Sequence, residues 1–89
     1  MATKLMGMNN NSNDRQLGAA VVAVLRGERA AQRITYDELS ERSGLDRSTV
    51  LRMLNNQRDL KMSQLSALCS ALKLSVVDVM RQAQARMDR

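Results

Sequence analysis

The sequence predicts an all-α fold, and three observations lead to it. Apolar residues recur at the three- and four-residue spacing of a helix that buries one face. The chain of 89 residues has one aromatic residue, Tyr36, and no proline, so strand-type patterning and strong internal breakers are missing. A single glycine, Gly44, stands between two short helical stretches, where a sharp corner needs backbone freedom.

Each element follows from local chemistry. Met1 to Asn13 is polar, Asn-rich and aperiodic, which predicts a flexible arm over residues 1–13, with Met6 and Met8 as alternative starts to Met1. The folded domain is expected over residues 14–87. From Asp14, an acidic first-turn residue or cap, Leu17, Val21, Val24 and Leu25 recur at helical spacing and predict a first helix to about Gln32. Gly27 within it costs about 1 kcal/mol relative to alanine. Ile34 anchors a short connection. Thr35 and Glu38 form a capping box for a second helix from Tyr36, which ends before Gly44.

Asp46 is placed to cap a third helix, Arg47 to about Asn55. Met62, Leu65, Leu68, Cys69 and Leu72 form the apolar stripe of a fourth. Ser75 with Asp78 caps a fifth, which carries Val76, Val79, Met80, Ala83 and Met87. Met53 and Met62 fall on inner faces and are expected in the core. Cys69, the only cysteine, has apolar neighbours and reads as a small buried hydrophobe.

Composition narrows the function. The net charge of +5 and a pI near 10.4 favour a polyanionic partner. With no histidine and one cysteine there is no plausible structural zinc site and no internal disulfide. No glycine-rich phosphate loop and no paired nucleophile and base are present, so enzyme chemistry lacks its parts and no cofactor is expected. One tyrosine cannot build a base-stacking platform for single-stranded RNA. No apolar run approaches membrane-spanning length and no signal-peptide core is seen, which predicts a cytoplasmic protein.

The informative segment is Tyr36 to Asn55, two short helices around the Gly44 corner. Leu39, Leu45, Val50 and Met53 are spaced to meet inside it, leaving Arg47, Ser48, Leu51, Arg52 and Asn55 outside. Between Arg42 and Lys61 there are five basic residues and two acidic ones, so positive charge follows that outer face. A basic, polar second helix after a tight corner is the pattern of a helix-turn-helix DNA reader.

An upstream helix, the run ITYDELSERSGLDRSTVLRML and the close ALKLSVVDVM together resemble the XRE, or Cro/C1-type, helix-turn-helix repressors, over about Leu17 to Met80. The resemblance implies a compact five-helix, lambda-repressor-like DNA-binding domain with its helix-turn-helix motif at residues 36–55. It implies that the third helix enters the major groove, with Arg47, Ser48 and Arg52 at base-contacting positions. Arginine suits guanine O6 and N7, a serine hydroxyl serves several bases, and Leu51 packs on a thymine methyl. Tyr36, Asn55, Arg58 and Lys61 lie where the family contacts phosphates. Val77, Met80 and Met87 on the last helix are candidate dimer contacts.

Several positions depart from the family pattern. Ser40 and Ser43 replace apolar or small residues, which predicts looser packing between the second and third helices. Leu54 stands in place of a glutamate that pairs with an arginine of the first helix, here Arg29, so Arg29 must find another partner and Leu54 either enlarges the core or is exposed. Lys73 replaces a glycine at the turn after the fourth helix.

The expected function is a sequence-specific transcriptional regulator, a homodimer on an inverted-repeat operator in double-stranded DNA. The expected type is a phage Cro or immunity repressor acting by operator occupancy, since a chain of this length leaves little room for a ligand or self-cleaving domain. The alternative is an antitoxin that binds a protein toxin and represses its own operon. A toxin-like neighbouring reading frame would favour the alternative.

Overall fold

The computed structural model describes the backbone of residues 2–88 and side chains from Arg15 onward. Five helices follow in order: α1 (Ala2–Ala31), α2 (Tyr36–Ser43), α3 (Arg47–Leu54), α4 (Met62–Ala71) and α5 (Val76–Met87). No strand occurs among the described residues. The expected helix start at Asp14 is not marked by any break, because α1 is helical from Ala2. Once a docked helix exists, each added residue costs little, and no proline interrupts the segment. The side chains of the expected arm, and of Asp14 as a cap, lie outside the described residues.

The core draws on every helix. Leu25, Leu39, Val50, Met53, Leu54 and Val79 are completely buried, with Val21, Val22, Val24, Ile34, Leu65, Leu68, Cys69, Leu72 and Ala83 beside them. Each large aliphatic side chain withdrawn from water in this way stabilises the fold by roughly 1.5 to 3 kcal/mol. α1 packs along α5 and against α3, α2 packs on α3 and α4, and α4 on α5. Burial pushes the Cys69 thiol above its ordinary pKa, which keeps it protonated and inert. Met62 corrects the expectation of a core methionine: it is 68% exposed. As the first residue of α4 it precedes the turn in which the apolar stripe of that helix meets the core. No single helix among the described residues is long and apolar enough to cross a membrane.

The corners are of two kinds. Between α2 and α3, Gly44 takes a left-handed conformation (φ 75°) and its N–H donates to the Ser40 carbonyl at 2.9 Å. After α1, α3 and α4 the left-handed residue is Arg33 (φ 57°), Asn56 (φ 59°) or Lys73 (φ 59°). Each of these makes the paired hydrogen bonds of a Schellman motif. In the last, Lys73 N–H donates to Ser70 O at 3.1 Å and Leu74 N–H to Cys69 O at 2.8 Å. The lysine at the expected glycine position therefore keeps the turn, at the steric cost of about 1 to 2 kcal/mol that a side chain meets there. At two of the three corners the next residue, Ile34 or Leu74, packs into the core and holds the turn.

Candidate nucleic-acid interface

The capping box at the start of α2 forms as expected. Glu38 N–H donates to the Thr35 hydroxyl at 3.1 Å, and Thr35 N–H donates to the Glu38 carboxylate at 3.3 Å. Across the Gly44 corner the two serines, expected to leave the packing of the second and third helices looser, are engaged in hydrogen bonds. The Ser40 hydroxyl donates to the Leu45 carbonyl. Leu45 N–H donates to the Ser43 hydroxyl at 3.2 Å, and that hydroxyl donates to the Ser40 carbonyl at 3.3 Å. Backbone groups that a bare corner leaves open are thus satisfied by side chains.

With the corner set, the two sides of α3 separate. Val50, Met53 and Leu54 are buried, which fixes the helix against α1 and α2. Arg47, Ser48 and Arg52 are exposed, Asn55 is exposed just past the helix end, and Leu51 is half-buried. Arg58 and Lys61 are exposed in the segment that follows, and Tyr36 is half-buried at the start of α2. The fold brings the exposed face of α3 and the first turn of α2 to one side of the corner.

Three features at this side were not read from the sequence. Arg47 Nε lies 2.7 Å from Asp37 Oδ1, an ion pair joining the first turn of α2 to the first residue of α3. The Ser48 hydroxyl donates to the Asp46 carboxylate. Asp46 has the extended backbone of a cap, yet its carboxylate forms no cap hydrogen bond, which corrects the expected role. A hydroxyl two residues on competes with the backbone amides for the same oxygens. That hydroxyl is the main cause, and with the Thr49 and Ser48 amides and the Arg52 charge it outweighs an opposing desolvation and holds the Asp46 carboxyl below its ordinary pKa.

The third feature concerns Arg29. Leu54 is wholly buried where a glutamate would pair with it. Arg29 donates instead from Nη1 to the Ile34 carbonyl at 2.7 Å, and its guanidinium carbon lies 4.5 Å from the centre of the Tyr36 ring. Its Nε is buried without a hydrogen-bond partner. The arginine thus backs the ring at the start of α2. An arginine and an aromatic residue seven positions apart across a helix end were the available signal, and it is a weak one.

On α5, Val77 is 62% exposed, whereas Met80 is half-buried against the core and Met87 is half-buried. Of the three, Val77 is the one that stands open to solvent.

The sequence profile of the Cro/C1-type HTH DNA-binding domain matches residues 24–82. Among solved structures, the clp gene regulator ClgR from Corynebacterium glutamicum is 31% identical, with 80% of this chain and 92% of that one covered and a TM-score of 0.72. A second ClgR structure gives 30% identity, coverage of 81% and 77%, and a TM-score of 0.74. The wild-type restriction-modification controller protein C.Esp1396I shares the fold at 23% identity, with coverage of 82% and 96% and a TM-score of 0.76. No curated protein matches significantly. The five helices, the glycine corner and the profile match agree: this chain belongs to the Cro/C1-type helix-turn-helix family and is a DNA-binding transcriptional regulator.

Proposed function

We propose that the protein is a homodimeric, sequence-specific regulator that occupies an inverted-repeat operator, in the manner of Cro- and immunity-type repressors. The observation that carries this reading is the exposed face of α3, where Arg47, Ser48 and Arg52 stand clear of the core on a helix locked from behind by Val50, Met53 and Leu54. Arg47 and Arg52 read guanines through O6 and N7, Ser48 adds a hydroxyl contact, and Leu51 packs on a thymine methyl. Tyr36, Asn55, Arg58 and Lys61 hold phosphates and set the register. A single eight-residue recognition helix reads only a few base pairs, so two protomers address two half-sites roughly 34 Å apart. The flank of α5 with Val77, Met80 and Met87 is the candidate contact between them.

Selection of binding sites from random duplex DNA at defined salt tests this. An inverted repeat with half-sites one helical turn apart is expected, bound by two protomers in native mass measurement. A non-repeated site bound tightly by one protomer would overturn the dimeric reading. A toxin-like protein captured with the same α3 surface left free would turn the assignment to an antitoxin.

A further inference from the structure

We infer that Asp37 is a positioning residue for sequence readout: it holds the Arg47 guanidinium by its Nε edge so that the outer end of the fork faces DNA. The inference rests on the reading that Arg47 contacts a base. Three ion pairs occur among the described residues, and two of them, Arg42 with Glu38 and Arg81 with Asp78, lie within one helix at the spacing of successive turns. The Asp37–Arg47 pair alone joins two helices, at 2.7 Å across ten residues of sequence.

The geometry has a direct chemical consequence. The guanidinium is planar, and its contact with Asp37 is an ion pair at the Nε edge rather than an aligned hydrogen bond. The only ion pair of Arg47 among the described residues is at Nε, so the Nη end of the fork that matches guanine O6 and N7 is left open. Both side chains are exposed, at 57% for Arg47 and 74% for Asp37, so the pair contributes little to folding and its cost to the domain is small. Its effect lies in binding. An unrestrained arginine loses its rotamer freedom when it docks, whereas one already held has less to lose. A carboxylate at the rim also repels phosphate, which penalises placements of the arginine on the backbone rather than on a base.

The test measures affinity for the selected site and for random duplex, at several salt concentrations, for the wild-type chain, Asp37→Asn, Arg47→Ala and the double variant. Asp37→Asn is expected to lower the ratio of specific to random affinity about three- to tenfold, the size of the ordering cost of one long side chain. The loss should fall on the base position read by Arg47, while random binding rises slightly with the removed negative charge. In the Arg47→Ala background, Asp37→Asn should leave the ratio unchanged. If Asp37→Asn raises both affinities equally, or still lowers the ratio without Arg47, positioning is overturned and Asp37 acts as a bare charge. If Arg47→Ala itself leaves the ratio unchanged, base reading by Arg47 fails instead, and the two failures are told apart.

Discussion

The two faces of α3 share eight residues of backbone and divide the work of the protein between them. The inner face, Val50, Met53 and Leu54, has no contact with water, and every atom on it is committed to α1, α2 and the core. The outer face makes no core contact through Arg47, Ser48 or Arg52, and two of these polar side chains are held only by neighbouring carboxylates, Asp37 and Asp46. On the proposed reading, stability and specificity fall to different side chains of one short helix. A change on one face should leave the other's property nearly untouched.

Substitutions can break that separation, and the inner face gives the largest effect. Leu54→Ala should cost about 2 to 5 kcal/mol in denaturant unfolding, because the cavity sits where α3 meets the core. The ratio of specific to random DNA affinity should be unchanged at a temperature where the variant stays folded; a changed ratio would mean that the reader's placement depends on this side chain. Arg52→Ala is the converse. It should cost about 1 to 3 kcal/mol of cognate binding and relax one base position in a binding-site selection, with stability altered by less than about 0.5 kcal/mol.

Arg58→Ala, beyond the helix, sharpens the comparison by removing grip without reading. Cognate and random affinities should fall together, and the slope of log affinity against log salt should become shallower by roughly 1. The smallest effect belongs to Ser48→Ala. Loss of the hydroxyl should raise the Asp46 carboxyl toward its ordinary pKa, read by carboxyl-carbon NMR titration. Because that pKa is depressed in the folded chain, the linked stability is present above the ordinary value and fades as pH falls through the lowered one. Ser48→Ala should move the end of that fading to higher pH.

Much of this was legible beforehand because it is local. The Thr35 and Glu38 capping box, the left-handed Gly44 and the burial of Leu39, Val50, Met53, Leu68 and Cys69 follow from spacing and side-chain chemistry within a turn or two. The departures depend on contacts that periodicity does not encode. Met62 shares the stripe of its helix and still faces water, because it is the first residue of α4 and burial begins only at Leu65. Ser40 and Ser43 tie the corner through hydrogen bonds that their departure from the family pattern did not suggest. Asp37 meets Arg47 only once the corner has folded, so nothing in either residue's own neighbourhood announces the pair. The candidate contacts with bases and phosphates came from the family pattern, since exposure alone does not distinguish a reading arginine from a solvated one.

The contrast among the corners bears on the order in which the chain acquires its shape. The Gly44 corner is closed by a residue that enters the left-handed region freely and by hydrogen bonds from Ser40 and Ser43, all within six positions of one another. The Arg33 and Lys73 corners begin from an unfavourable backbone state and are secured by Ile34 and Leu74, whose partners come from elsewhere in the sequence. A bend of the first kind is available to an isolated stretch of chain, while bends of the second kind must wait for the collapse that rewards them. The Gly44 corner therefore draws its closing contacts from within its own segment, whereas the Arg33 and Lys73 corners depend on the assembled core.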